Sequence, residues 1–212
     1  FKNKSLLLDV LTLASYSPLL AGTMLQHPEY IWWLNRKRGD SVVRNKDELL
    51  ESLARFTLTN SQVDTHDLLS RFRRRELMRI FLRDIRRLVE IAEITEEISN
   101  LADAILEHAL RIARQELDNR FGSPFETDEK GRQKPAEFCI VSLGKLGSRE
   151  LNYSSDIDLL FLFSGDGYTS GIGTRGSISN REYFIKLAEA IVRLVGSQSG
   201  EGSAYRVDLR LR

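Results

Sequence analysis

The sequence is poor in residues that support covalent or metal-based stabilisation. Cys139 is the single cysteine among 212 residues, which excludes an intramolecular disulfide and a multi-cysteine zinc site. The three histidines, His27, His66 and His108, have no metal-ligand spacing, so structural roles are expected for them. No apolar run approaches the ~18 residues that a membrane-spanning helix requires, and no membrane contact is expected.

An excess of charge of one sign is also absent. The 31 basic and 30 acidic residues leave a net charge of +1, which gives no overall attraction to nucleic acid. The basic cluster Arg71–Arg75 is interpreted as the solvated face of a helix rather than a nucleic-acid contact. The apolar run Leu6–Leu8 is too short for a secretory signal, so a cytoplasmic location is expected. Because the first residue is not methionine and Arg212 falls inside a strand-like run, we expect the sequence to be part of a longer chain.

The spacing of apolar residues changes near Arg120. Before it, segments such as Glu76–Ile94 and Leu101–Phe121 carry apolar residues at helical spacing, which predicts a helical bundle. After it, short β-rich segments alternate with loops that contain glycine or proline. The sequence therefore predicts an α+β protein, with a helical domain at 1–120 and a catalytic domain with a small mixed sheet at 121–212.

The second part has a clear order of elements. Residues 121–136 are interpreted as a surface loop and domain boundary. The predicted elements that follow are a buried strand at Phe138–Leu143, a turn at Gly144–Gly147, a short helix around Ser148–Leu151, a strand at Asp156–Phe163, a helix at 180–195 and a strand at Tyr205–Arg212. The glycine-rich segment Ser164–Ser179 is predicted to be a mobile loop at the mouth of a cleft.

Three aspartates in strand-like segments are candidates for a metal site. Side chains alternate along a strand, so Asp156 and Asp158 project from one face with an axial repeat of roughly 7 Å. Two neighbouring carboxylates repel each other unless a cation lies between them, and Mg²⁺ prefers carboxylate oxygens. In the last segment, alternation places Asp208 on one face with Arg206 and Arg210. If this segment pairs beside the strand of Asp156, three carboxylates converge next to arginines that can bind phosphate oxygens.

A glycine-containing turn precedes the first two aspartates. The run Gly144-Lys145-Leu146-Gly147-Ser148 lies where a strand is followed by a helix. Glycine lets the backbone approach a phosphate closely, and a helix N-terminus offers N–H groups and a favourable dipole. Ser148 adds a hydroxyl donor. The spacing to Asp156 leaves room for one short helix and one turn, so both elements can line the same cleft.

Each of these motifs has a simpler interpretation when it is taken alone. An Asp-x-Asp at a strand edge is usually solvated surface, and a Gly-Lys-x-Gly turn is usually a chain reversal. The order of strand, glycine turn, helix, Asp-x-Asp strand and third-Asp strand is more specific. Two other matches are set aside: Gly171–Gly176 fits G-x-G-x-x-G but lacks the strand-to-helix context, and Leu146 follows Gly144-Lys145 where a Walker A motif has Ser or Thr.

With these residues in place, the sequence resembles the glutamine-synthetase adenylyltransferase (glutamate–ammonia-ligase adenylyltransferase) family, which has nucleotidyltransferase units of the DNA-polymerase-β type. The segment Gly144–Phe161 is similar to the hallmark of that family, and Asp208–Arg212 resembles the start of its later D-x-R-L-R-P motif. His27-Pro28-Glu29 and Ser99–Ala104 also resemble family signatures. Ser148 departs from the pattern, since glycine is usual there in this family.

The resemblance implies a function and a set of site residues. Asp156, Asp158 and Asp208 would be catalytic and would hold Mg²⁺. The residues that would bind the nucleotide are Gly144, Lys145, Gly147, Ser148, Ser155 and Arg210. The implied partners are glutamine synthetase, ATP or ADP, phosphate and, through the full-length protein, a PII-type signalling protein.

Family members contain two such units, one that attaches AMP to a tyrosine of glutamine synthetase and one that removes it by phosphorolysis. Asn152–Asp158 resembles the removing copy, so the resemblance favours phosphorolytic removal of AMP. Three alternatives stay open: ATP-dependent attachment of AMP, a related nucleotidyltransferase that acts on RNA or a small molecule, and a helical interaction module without activity.

Overall fold

The computed structural model describes residues 3–37, 42–128 and 130–209. Its helices are α1 (Lys4–Tyr16), α2 (Pro18–Gln26), α3 (Glu29–Lys37), α4 (Lys46–Thr59), α5 (Thr65–Ile85), α6 (Ile91–Phe121), α7 (Gly144–Gly147) and α8 (Asn180–Gly196). Its strands are β1 (Pro124–Thr127), β2 (Gln133–Pro135), β3 (Phe138–Leu143), β4 (Ile157–Phe163), β5 (Gly167–Thr169) and β6 (Val207–Leu209). Helices precede a mixture of strands and helices, so the predicted α+β class is confirmed.

Helix α6 is the central element of the helical part. Its apolar residues recur every three or four positions, and Ile98, Leu101 and Ile105 are fully buried. The helix packs against α4, α5 and α8, so a single hydrophobic core joins residues from both parts of the chain. The division into domains at residues 120 and 121 stays a prediction. Among the helices that the structure describes, none combines the length and the apolar character needed to cross a membrane.

Local signals explain where some helices begin and end. Asn45 accepts a hydrogen bond from the Glu48 N–H while the Glu48 side chain accepts one from the Asn45 N–H, and this reciprocal pair caps the N-terminus of α4. The stripe predicted across Glu76–Ile94 is wrong as one helix, because α5 ends at Ile85 and α6 begins at Ile91. Arg87 has a positive φ of 51° at this break. A non-glycine residue in that conformation leaves no signal in the sequence.

The strands form two sheets of three. One has the order β2-β1-β5 and is antiparallel throughout. The other has the order β3-β4-β6, in which β3 is antiparallel and β6 parallel to β4. This second sheet is the small mixed sheet that the sequence predicts. Strand β3 is only half-buried and Cys139 is exposed, so the expectation of a buried strand is wrong.

Three predicted loops or helices differ from the structure. Residues 121–136, predicted to be a loop, contain the hairpin of β1 and β2. The glycine-rich segment Ser164–Ser179 contains β5, which pairs with β1. The helix predicted around Ser148–Leu151 is instead the single turn α7 at Gly144–Gly147. The strands are only three or four residues long, and β1 pairs on one side with β5, more than 40 residues away, which local composition does not indicate.

The glycine-rich segment does not lie at the cleft that holds the candidate site. It follows the far end of β4 and begins six residues after Asp158 and eight residues after Asp156. Its backbone caps the C-terminus of α6, since the N–H groups of Gly171, Thr174 and Arg175 donate to carbonyls at 119–121. The predicted position is therefore wrong, and these bonds argue against the predicted mobility.

Candidate active site

The candidate site lies at one end of the mixed sheet. Asp158 of β4 and Asp208 of β6 are direct register partners on parallel strands, and neighbouring strands lie about 4.8 Å apart. On the other side of β4, Leu143 pairs with Asp158, so α7 begins directly beside this carboxylate. Two of the three predicted acids and the glycine turn are thus brought together by strand register.

Side-chain alternation sets which residues face the site. Ile157 and Leu159 are fully buried under the sheet, so Asp158 between them projects to the opposite face. In β6, Val207 and Leu209 are half-buried and Asp208 between them is exposed. The apolar residues of both strands therefore position the two carboxylates on the accessible face.

Asp156 is held differently from the other two acids. Arg206 donates a hydrogen bond from Nη2 to Asp156 Oδ2 at 2.5 Å. This contact raises the pKa of the Arg206 guanidinium, through the hydrogen bond first and the charge of Asp156 second. Within residues 3–37, 42–128 and 130–209, no three His, Cys, Asp or Glu side chains form a group that could hold a metal ion. The three-carboxylate metal site stays a prediction.

Two glycines of the turn have physical reasons to lack a side chain. A Cβ on Gly144 would lie 2.5 Å from Asp158 Oδ2, and the residue has a positive φ of 55°. A Cβ on Gly147 would lie 2.6 Å from the carbonyl oxygen of Ser142. The backbone of the turn is therefore packed directly against the carboxylate on one side and against the end of β3 on the other.

The turn is shorter than the sequence suggests, which changes how it could bind an anion. Because α7 is a single turn, the N–H groups of Gly144–Gly147 have no partner within the helix, but the dipole is that of one turn only. Gly144, Lys145 and Gly147 are exposed. The Ser148 hydroxyl donates to the carbonyl of Lys145 at 3.4 Å and to Glu150 Oε2 at 3.2 Å. Backbone amides and Lys145 are thus the accessible donors.

Ser155, another predicted nucleotide-binding residue, forms hydrogen bonds with Asn152. Ser155 Oγ donates to Asn152 Oδ1 at 2.6 Å and accepts a bond from the Asn152 N–H, so it closes the turn before Asp156. Arg210 lies outside the described residues. The roles of Ser155 and Arg210 in nucleotide binding stay predictions.

Sequence reasoning missed an arginine that joins the glycine turn to α6. Arg149 donates to Glu96 Oε1 from Nε at 3.2 Å and from Nη2 at 3.0 Å. It also donates to Asp103 Oδ2 at 2.5 Å and to Asn100 Oδ1. The three acceptors lie on one face of α6, at a spacing of four and three residues. This spacing is visible in the sequence, but their distant partner is not.

The segment between the turn and Asp156 is held by α5 as well. Tyr153 donates from its hydroxyl to Asp84 Oδ2 at 2.9 Å, and its ring packs edge-on against Phe81 at 5.0 Å between centroids. Arg73 donates to the Tyr153 carbonyl at 2.8 Å, and its guanidinium lies 4.4 Å from the ring centroid of Tyr205. Helix α5 therefore contacts the chain just before Asp156 and just before Asp208.

The interpretation of Arg71–Arg75 as a solvated helix face is wrong. Arg71 Nε lies 2.9 Å from Glu201 Oε1, and Arg74 donates to the Glu201 carbonyl. Arg75 is buried against aromatic rings, with its guanidinium 4.5 Å from the ring centroid of Trp33. Arg71 and Arg74 thus bind the α8–β6 connection, and Arg75 packs in the helical core, so these side chains contact other parts of the protein instead of only solvent.

A family model and several named proteins match the chain in sequence. A model of the glutamate-ammonia ligase adenylyltransferase family matches residues 7–212. The chain is similar to proteins named bifunctional glutamine synthetase adenylyltransferase/adenylyl-removing enzyme from Nitrosococcus oceani (39% identity over 77% of the chain and 16% of the relative) and Shewanella oneidensis (32% over 96% and 21%). A protein of the same name from Mannheimia haemolytica is 29% identical over 100% of the chain and 22% of the relative.

The chain thus spans about a fifth of the length of these relatives. The match covers the helical part, the glycine turn and all three aspartates, since the family model extends from residue 7 to residue 212. The chain belongs to the glutamate-ammonia ligase adenylyltransferase family.

Proposed function

We propose that this chain is a Mg²⁺-dependent nucleotidyl-transfer unit that acts on glutamine synthetase and removes AMP from its adenylylated tyrosine by phosphorolysis. The observation that carries the proposal is the register of Asp158 with Asp208, with the backbone of Gly144 packed against the Asp158 carboxylate. Adjacent carboxylates and a glycine turn are the elements that phosphoryl-type transfer needs, one for metal ions and one for phosphate oxygens. The names of the relatives supply the protein substrate.

The donor set at this end of the sheet suits Mg²⁺. Asp158 and Asp208 offer only oxygen atoms, and Mg²⁺ is commonly bound by one or two carboxylates together with water and substrate phosphates. Asp156 would join them once Arg206 moves from its Oδ2 atom. A bound Mg²⁺ would supply charge neutralisation at the oxygens around the α-phosphorus.

The residues of the chain bind and orient the reacting groups. The N–H groups of Gly144–Gly147 and the ammonium group of Lys145 hold phosphate oxygens. In the removing direction, an oxygen of inorganic phosphate attacks the α-phosphorus of the AMP group. The bond from phosphorus to the tyrosine oxygen breaks, that oxygen takes a proton, and ADP leaves. Arg206 lies beside the site and can bind phosphate after releasing Asp156.

The direction of the reaction rests on a short segment. Asn152–Asp158 resembles the copy of the unit that removes AMP. Attachment of AMP from ATP is the alternative, because both reactions displace a group at the same α-phosphorus and both activities are in the names of the relatives.

The test uses the full-length protein with Asp156→Asn and Asp158→Asn combined. We expect loss of phosphate-dependent AMP release from adenylylated glutamine synthetase, while ATP-dependent attachment is retained. The matched control is Asp166→Asn, since Asp166 is exposed beyond the far end of β4. Retained release with lost attachment would assign this unit to the attaching reaction. If both activities survive, the aspartates are not catalytic and the proposal fails.

A further inference from the structure

Arg149 occupies an unusual backbone conformation directly after the glycine turn. Its φ is +64°, and it is one of two non-glycine residues with positive φ in the described part of the chain. Such a conformation costs free energy for a residue with a Cβ, so it persists where surrounding contacts hold it. The Arg149 N–H also donates to the carbonyl of Leu146 at 3.2 Å, so the residue is continuous with the turn.

The side chain of Arg149 uses all three of its nitrogens on a single helix. Nε and Nη2 bind Glu96, Nη1 binds Asp103, and Nη2 also binds Asn100. The planar guanidinium has a fixed geometry, so contacts to three side chains determine its orientation. A single ammonium group on a flexible stem could not reproduce this arrangement.

The helix that supplies these acceptors is itself rigidly placed. On the neighbouring face of α6, Ile98, Ala102 and Ile105 are fully buried. The Glu96 and Asp103 side chains retain 44% and 28% exposure, and Arg149 retains 33%. Ion pairs this exposed add little to stability because water screens them. The main effect of the cluster is therefore to fix the position of Arg149 relative to α6.

A second contact links the same helix to the chain just after the turn. The Leu151 N–H donates to Ser99 Oγ at 3.3 Å, and Leu151 is fully buried. The turn is thus fixed at its C-terminal side by α6 and at its N-terminal side by β3, while Gly144 lies against Asp158. A change in the distance between α6 and Arg149 would move the backbone amides relative to the carboxylates.

We infer that Arg149 is a positioning residue, which holds the amides of Gly144–Gly147 at the distance from Asp158 that a phosphate group requires. This inference rests on the proposed function. Arg149 acts through the turn and does not contact the substrate itself. Its loss should weaken phosphate binding more than it weakens the fold.

The test compares Arg149→Gln and Arg149→Lys in the full-length protein. The measurements are the KM for phosphate and kcat in AMP release, or the KM for ATP if the unit attaches AMP, together with the melting temperature. We expect Arg149→Gln to raise KM about tenfold, as a misplaced binding group would. Arg149→Lys should raise KM by a smaller factor, because lysine keeps the positive charge but lacks the planar set of guanidinium N–H donors. The melting temperature should change by less than about 3 °C.

The matched control is Arg111→Gln. Arg111 lies on α6, the helix that supplies the acceptors of Arg149. It forms an exposed ion pair with Glu107, in which Nε and Oε1 are 2.9 Å apart. It should leave KM and kcat unchanged. If Arg149→Gln does not fold, Glu96→Gln removes one acceptor and should raise KM in the same direction by a smaller factor.

Two results separate the inference from the proposed function. Wild-type kinetics in Arg149→Gln, with activity lost in Asp158→Asn, would overturn the positioning role and leave the proposed function standing. Activity retained in Asp158→Asn would instead overturn the proposed function. A large fall in melting temperature with normal KM at low temperature would show that Arg149 serves only the fold.

Discussion

Arg206 Nη2 and Asp156 Oδ2 lie 2.5 Å apart, so Arg206 forms an ion pair with one of the carboxylates that the three-acid metal site requires. The Arg206 side chain is 80% exposed, and an ion pair in that setting is screened by water. The contact therefore does little for the fold. It places Arg206 in competition with any cation that uses Asp156.

The first prediction follows from this competition. Arg206→Gln should bind Mg²⁺ more tightly than the wild type, by roughly two- to fivefold, the range expected for loss of an exposed ion pair. Titration calorimetry without nucleotide measures the dissociation constant. Arg55→Gln is the control, because it removes a similar exposed pair with Glu51 in α4. Unchanged or weaker binding in Arg206→Gln would show that Asp156 is not a ligand of the ion.

The second prediction concerns the close approach of Gly144 to Asp158. Gly144→Ala places a Cβ 2.5 Å from Asp158 Oδ2 and in a strained backbone conformation, with φ at +55°. We expect a loss of about 1–2 kcal/mol in the free energy of unfolding from the backbone strain. Activity should fall at least tenfold as well, because the carboxylate must move.

A second glycine separates these two effects. Gly131 has a positive φ of 76°, and no atom of the described residues lies within 4 Å of the position of its absent Cβ. Gly131→Ala should therefore cost similar stability and leave activity unchanged. Denaturant unfolding and activity assays on the two variants test this. Equal activity in both would mean that the contact with Asp158 has no role in the reaction.

The third prediction concerns an acid buried in the helical part. Glu76 is fully buried, with Arg75 Nη2 3.0 Å from its Oε1, and with Arg79 Nε at 3.2 Å and Arg44 Nη1 at 3.3 Å from its Oε2. Burial by itself would raise the pKa of Glu76, but the three guanidinium groups hold this pKa below its ordinary value of 4.5. The folded state therefore binds the proton less tightly than the unfolded state does.

The sign of the pH dependence follows. A depressed folded pKa stabilises the protein above pH 4.5, and this stability is lost as the pH falls from 4.5 through the folded value. Glu76→Gln should lack this part of the dependence. It should also lose about 3–5 kcal/mol at neutral pH, because buried arginines lose their counter-charge. Unfolding curves between pH 3 and 7, roughly the range in which carboxylates titrate, measure both effects.

The control for this measurement is an exposed glutamate in a similar ion pair. Glu51 has a side chain that is 73% exposed and pairs with Arg55. Glu51→Gln should change the free energy of unfolding by less than about 0.5 kcal/mol at any pH in that range. If Glu76→Gln behaves in the same way, the buried network is not what sets the acid limit of stability.

Features with a short period were predictable from the sequence. Alternation along β4 and β6 placed Asp158 and Asp208 on the accessible face, because Ile157, Leu159 and the apolar residues of β6 need burial. The cap of α4 is likewise a local feature, since its partners Asn45 and Glu48 lie within four residues of each other. The glycine turn was also found, although its helix is one turn long and begins at Gly144.

Features that depend on distant partners were not predictable. Arg149 is oriented by acceptors 46 to 53 residues upstream, and nothing in the local sequence indicates that pairing. The interpretation of Arg71 and Arg74 as solvated was wrong because their partner, Glu201, lies more than a hundred residues away in the sequence. A cluster of charges has the same local appearance whether it meets water or a folded partner, so burial had to come from the structure.

The last prediction uses two tyrosines with matched chemistry. Tyr153 donates to Asp84 at 2.9 Å, three residues before Asp156, and Tyr183 donates to Asp118 at 2.5 Å, near the C-terminus of α6. Burial is the largest cause of the raised pKa of each tyrosine, and the hydrogen-bonded aspartate raises this pKa further. Each phenylalanine variant leaves an acceptor without its donor, so both should lose about 1–3 kcal/mol of unfolding free energy.

The two variants should differ in function. Tyr153→Phe releases the segment that carries Asp156 from α5, so kcat for AMP release should fall about tenfold. Tyr183→Phe changes a contact between α8 and the C-terminal part of α6, outside the segments that carry the aspartates, and should keep the wild-type kcat. Steady-state assays on the full-length protein, at a temperature where both variants are folded, compare them directly. Equal kcat values for the two variants would mean that the contact of Tyr153 with Asp84 supports the fold alone, because loss of stability is the effect that both substitutions share.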